Sequence, residues 1–103
     1  MTTISIVNRR TTPGGIYIGR PSILGNPYKI GRDGDRTLVI QKYRRWLWQE
    51  VQRRGAVWEA LRKLAARVAS GEAIELACWC APKPCHGHVL KSCLEWMVRE
   101  RLY

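Results

Sequence analysis

Hydrophobic and polar positions recur along this chain in six distinct patterns. Ile4-Ser5-Ile6-Val7 is a short β-like run, and Ile16-Tyr17-Ile18 is a second. Pro13-Gly14-Gly15 between them is a turn signal. The connection of about eight residues is shorter than the crossover that parallel strands need, so the two runs are predicted to form an antiparallel hairpin where they pair. Val39, Ile40, Tyr43, Leu47 and Val51 then recur at helical spacing, with Asp35 or Thr37 able to cap the helix. Trp48 falls on its opposite, polar and cationic side, where it could stack a base, meet a partner or lie under a neighbouring loop. Gly55 is predicted to break the chain; a single helix running through it would cost about 1 kcal/mol for the glycine. Val57, Leu61, Leu64 and Val68 mark a second helix that ends at Ser70-Gly71. Ala73 to Cys80 reads as a buried strand, broken by Pro82 and Pro84. A last helix runs from about His86 to Arg101, with Leu90, Cys93, Leu94 and Met97 on one face. The predicted order is β-β-α-α-β-α. It describes one compact α/β domain over residues 1–103, a small, mainly three-stranded sheet with about three helices.

Composition sets the bounds. A chain of 103 residues and 11.9 kDa fits one modest core and leaves no room for two. At 46% hydrophobic and 25% charged it belongs with globular chains. No apolar run approaches the ~18 residues of a membrane span, and the polar start is not that of a signal peptide. The expectation is a cytoplasmic protein with no membrane partner.

Charge changes the picture more. The formal net charge is +10, and all of that excess lies in residues 1–70, where arginine predominates. Arginine suits forked contacts to phosphate and stacking on rings. An anionic ligand is expected, a nucleotide or nucleic acid above all; the plainer alternative is only a basic surface.

Residues 19–35 form a long irregular loop rich in glycine, with Gly19-Arg20-Pro21-Ser22 and Gly25-Asn26-Pro27-Tyr28 inside it. Such a loop in a small domain is more often functional than idle. Gly19 and Gly25 let backbone approach a ligand, Arg20 supplies a fork for phosphate, and Ser22 and Asn26 add polar groups. The same residues can equally be a succession of turns. The spacing matches neither a Walker loop nor a dinucleotide fingerprint.

The second chemically dense stretch is Cys78-Trp79-Cys80-Ala81-Pro82-Lys83-Pro84-Cys85-His86-Gly87-His88. Cysteines clustered in one quarter of a chain do not read as a disulfide framework. Three readings stay open. Cys78, Cys80, Cys85 and His86, or His88 in its place, could supply four ligands to zinc. Cys85, at a helix N-terminus that lowers a thiol pKa, could be a nucleophile with His86 or His88 as its proton-transfer partner. Or the thiols are structural. Cys93 stands apart as a packed thiol on the last helix.

These two motifs, with Asp33-Gly34-Asp35, Val39-Ile40, Tyr43-Arg44 and Trp46-Leu47 between them, resemble the family catalogued as domain of unknown function 4326 over nearly the whole chain. The resemblance implies one small domain in a bacterial or phage setting and carries no known reaction. It marks Gly19, Arg20, Ser22, Gly25, Asn26, Cys78, Cys80, Cys85 and His86 as the site. The family's pattern often has an acidic residue where this chain has His88, which makes His88 the weaker ligand. If the second and third strands are parallel, both motifs fall at one sheet edge, where α/β folds bind ligands. Asn8-Arg9-Arg10 is then expected at the opposite edge, by the hairpin argument. The expected function is a binding module for an anionic ligand. The alternatives are a small enzyme using Cys85 or a zinc-activated water, and a phage-type factor that docks on a host protein.

Overall fold

A computed structural model of the chain describes residues 3–103. Its elements are β1 (Ile4–Asn8), β2 (Ile16–Tyr17), α1 (Arg36–Arg53), α2 (Ala56–Ala69), β3 (Ile74–Cys78) and α3 (His86–Arg99). The three strands form one sheet in the order β1-β3-β2. No helix among the described residues is long and apolar enough to cross a membrane.

The predicted hairpin is absent. β1 and β2 do not pair with each other; each pairs parallel with β3, which lies between them. The length argument failed because β2 is only two residues long. Ile6 and Ile16 both sit opposite Leu76. After Asn8, the chain therefore has to return only about 7 Å and move sideways by about two strand spacings, close to 10 Å. Eight residue steps reach roughly 26 Å, ample for that path. Gly14 and Gly15, at φ 86° and 78°, turn the chain back in a conformation that side chains resist. A Cβ on Gly15 would stand 3.2 Å from the Glu75 carbonyl oxygen, so the returning segment lies against β3.

All three strands thus end at one edge. The ladder continues past them there: Arg9 N–H donates to the Cys78 carbonyl at 2.8 Å and Ile18 N–H to the Ala77 carbonyl at 3.0 Å. Ile74, Leu76 and Cys78 alternate onto the face of β3 that joins the core and are buried, as is Ala77, whereas Glu75 on the opposite face is exposed.

The helices follow their apolar stripes. Asp35 caps α1 by accepting from Leu38 N–H at 2.9 Å, and Val39, Tyr43, Leu47 and Val51 turn inward. Arg54, in the left-handed region at φ 58°, ends α1, and Gly55 opens α2. α3 packs on β1 and β3, and α1 and α2 pack on α3. Leu61, Leu76, Leu90, Leu94 and Met97 meet in the middle with virtually no exposure. Each such side chain contributes roughly 1.5–3 kcal/mol by leaving water.

Candidate functional site

A cavity of about 540 Å³ opens at the edge where the strands end. Its walls come from the 19–35 loop, from the start of α1, and from the segment between β3 and α3. Gly19, Arg20 and Asn26 of the first motif line it, together with Cys78, Cys80, Cys85 and His86 of the second. The parallel pairing of β2 with β3 brings the two motifs together. Ser22 and Gly25 lie behind the wall, and neither His88 nor Cys93 reaches the cavity.

Most first-motif residues act on the loop itself. Ser22 N–H donates to the Gly19 carbonyl and Gly25 N–H to the Ser22 carbonyl, at 2.8 and 2.9 Å, which makes two linked turns. Ser22 Oγ accepts from Leu24 N–H at 3.2 Å. A Cβ on Gly25 would lie 3.0 Å from three backbone atoms, so the loop closes this tightly only with glycine. Asn26 is buried. Its Nδ2 donates to the Val39 carbonyl at 3.2 Å and its Oδ1 accepts from Tyr28 N–H at 2.9 Å, which anchors the loop to α1. Tyr43 adds a second anchor by donating to the Leu24 carbonyl at 2.7 Å, and burial keeps that phenol protonated. The side chains of Asn26 and Ser22 are therefore occupied inside the loop rather than aimed at the cavity. Arg20 does both jobs. Its Nη1 donates to the Asn26 carbonyl at 3.0 Å and the Tyr28 carbonyl at 3.4 Å, while the residue stays exposed at the cavity wall.

The second motif is equally tied in. Cys78 and Cys85 are buried free thiols with sulfurs 3.3 Å apart. Cys85 is the N-cap of α3, its sulfur accepting from Gly87 N–H at 3.3 Å. Burial, then the Cys78 thiol, pushes the Cys85 thiol up to about 12. That reverses the expectation from the helix terminus: desolvation of a thiolate outweighs the favourable dipole here. His86 Nε2 lies 2.6 Å from the Ile18 carbonyl oxygen. A carbonyl only accepts, so Nε2 carries the hydrogen and Nδ1 is the free nitrogen of the neutral ring. Burial holds His86 below its ordinary pKa of 6.5, and the nearby Arg20 charge adds to this. Among the described residues, no group of three or more His, Cys, Asp or Glu side chains is arranged to hold a metal ion. Zinc on Cys78, Cys80, Cys85 and His86 would have to use Nδ1 or draw Nε2 away from Ile18.

Five residues outside both ligand sets complete the edge. Asn8 Nδ2 donates to the Ala81 carbonyl at 2.8 Å and the Trp79 carbonyl at 3.3 Å, holding the segment after β3. Trp79 is 52% exposed, and its Nε1–H donates to the Tyr17 hydroxyl at 3.1 Å. Tyr17 in turn donates to the Arg20 carbonyl at 2.7 Å. Arg9 lies over the Tyr17 and Trp79 rings and Arg10 over Trp79, on the same edge as the cavity and not opposite it as the hairpin would have placed them. The signal for all of them was position: each lies at or just past the C-terminal end of a strand. Trp48 belongs elsewhere. It meets Trp96 edge-on at 5.8 Å in a groove between α1 and α3, beside half-buried Cys93, whose thiol burial pushes up to about 11.

Fold and site together define a small parallel-sheet α/β domain with a ligand-sized cavity at its strand ends. The chain belongs to the domain of unknown function 4326 (DUF4326) family, whose profile it matches over residues 6–96. No curated protein and no solved structure matches it.

Proposed function

We propose that this domain binds an anionic ligand, a nucleotide or nucleic acid, in the cavity at the strand ends. The observation that carries this reading is the charge of the lining: Arg20, Lys29 and Arg36 are its acidic or basic groups besides His86 and the thiols, and no carboxylate is among them. Arg20 and Arg36 donate to neutral backbone carbonyls, which leaves their charge uncompensated. The N-terminal end of α3 adds positive partial charge through Cys85 and His86 at the wall. Tyr17, Tyr28 and Trp79 supply ring faces beside these cations. The volume falls in the range of small-ligand sites, about 300–1,000 Å³.

Binding is favoured over thiol catalysis. Cys85 is protonated and capping a helix, and the His86 Nε2 hydrogen points to a carbonyl rather than to a sulfur. The test is equilibrium binding of nucleoside monophosphates against the uncharged nucleosides, followed by tryptophan fluorescence. The monophosphates should bind and the nucleosides should bind at least ten-fold more weakly. Equal affinity, or no binding of either, overturns the reading.

A further inference from the structure

We infer that the cavity is one part of a longer site for single-stranded nucleic acid, the other part being the exposed edge formed by Trp79, Arg9 and Arg10. The inference rests on the cavity being a nucleotide site and specifies what continues out of it. The cavity has room for one nucleotide, and the cationic and aromatic surface does not stop at its rim. Trp79 and Tyr17 line the cavity, whereas Arg9 and Arg10 do not. The Arg9 guanidinium carbon lies 4.2 Å from the Tyr17 ring centroid and 5.8 Å from that of Trp79. The Arg10 guanidinium carbon is also 5.8 Å from the Trp79 centroid.

Trp79 is a large apolar ring left half in water yet held in place. The Trp79–Tyr17–Arg20 carbonyl chain of hydrogen bonds fixes its edge, and the Tyr17 ring meets it edge-on at 6.3 Å. Asn8 holds the backbone beneath it. A ring ordered in advance loses little entropy when a base stacks on it, and base stacking tolerates any sequence. The two arginines that lie over this ring would swing aside to admit the base and neutralise the phosphates that flank it. The bases of a duplex are stacked on one another, so this arrangement suits a strand whose bases are free. The net charge of +10 provides the long-range attraction for a polyanion.

The experiment compares four probes by competition at fixed low salt: thymidine monophosphate, a thymidylate dodecamer, a duplex of the same length and polyglutamate. The unmodified protein should bind the dodecamer at least ten-fold more tightly than the mononucleotide, and more tightly than either other polymer. The R9Q/R10Q double variant should lower dodecamer affinity about ten-fold more than mononucleotide affinity. In a separate salt titration of dodecamer binding, it should also flatten the log-affinity against log-salt slope by one to two units. W79L should cost the dodecamer about ten-fold, the lower part of the range for loss of one stacked base. Equal binding of mononucleotide and dodecamer overturns the extended site and leaves the cavity reading standing. So does an R9Q/R10Q protein, folded by circular dichroism, that keeps the full advantage of the dodecamer. Equal binding of polyglutamate, or of the duplex, also overturns it. Failure of both the mononucleotide and the dodecamer to bind removes the cavity reading and this one together.

Discussion

His86 donates its Nε2 hydrogen to the Ile18 carbonyl at 2.6 Å, tying the first turn of α3 to the end of β2. This bond joins the two sequence motifs at the cavity wall, and it requires a ring that stays neutral on Nδ1 or gains a proton there at a cost. Burial lowers the His86 pKa below its ordinary 6.5. The unfolded chain then binds the proton more readily than the native one, so stability rises with pH across the interval between the two pKa values. The contribution is fully present above 6.5 and is lost as pH falls from 6.5 through the lower native value. Urea unfolding of the unmodified protein should show a declining midpoint below that pH. His86→Gln, which keeps an N–H donor, should flatten the decline. An identical pH profile in both proteins would show that His86 is not the group responsible.

Gly25 and Gly55 predict opposite outcomes for the same substitution. Alanine at Gly25 would press its Cβ to 3.0 Å from the Arg20 nitrogen, the Gly19 carbonyl carbon and the Ser22 oxygen, all backbone atoms with nowhere to go. Gly25→Ala should cost about 1–3 kcal/mol and weaken nucleotide binding with it. Alanine at Gly55 meets nothing within 4 Å, so Gly55→Ala should change stability by no more than about 1 kcal/mol. Chemical denaturation of the two variants side by side decides the matter, and comparable losses would mean the 19–35 loop is not packed this tightly.

Asn8 should matter out of proportion to its exposure. Asn8→Ala removes both bonds to the carbonyls of Trp79 and Ala81 and the cap its Oδ1 gives Arg10 N–H at 2.8 Å. The expected loss is about 1–2 kcal/mol of stability, together with greater mobility of the Trp79 ring. Relaxation of the Trp79 indole N–H resonance, assigned with the W79L variant, reports the second effect; an unchanged ring would show that Tyr17 alone positions it.

The thiols give a fourth prediction. With its thiol pushed up to about 12 and buried, Cys85 should alkylate slowly at neutral pH, more slowly than half-buried Cys80. Thiolate is the reacting form, so from a low starting rate each unit of pH within the stable range should accelerate Cys85 by up to about ten-fold, because the pH stays below its value of about 12. Cys85→Ser, whose hydroxyl is a good N-cap, should keep the fold and the nucleotide affinity. Where burial alone protects Cys85, chelator treatment should likewise leave labelling rates unchanged. Rapid labelling of Cys85, released on removal of one zinc per chain, would instead support a metal centre at Cys78, Cys80 and Cys85.

Helices were legible in the sequence because their signals are local. The Tyr43-Leu47-Val51 spacing, the Asp35 cap and the break at Gly55 all act within a few residues, and tertiary packing only confirmed the stripe they define. The glycine and cysteine motifs were legible as places where the chain departs from regular structure. Their roles were not. Asn26 reads as an amide free to meet a ligand until Val39 arrives from α1 to take its hydrogen bond. Cys85 reads as an activated thiol until burial beside Cys78 reverses the sign of its shift.

The order of elements, the apolar faces that form the core, and the basic, glycine-rich character of the segments around the cavity are all written locally in the residues. The pairing of β1 and β2 with β3, and with it the convergence of Asn8, Arg9, Tyr17, Arg20 and Trp79 on one edge, emerges only in the folded chain. The reason lies in range. Helix periodicity and capping depend on neighbours three or four residues away, whereas Ile6 and Ile16 find their common partner Leu76 some sixty to seventy residues later. Strand pairing is settled by which buried strand lies between them in the folded core, and no local pattern encodes it.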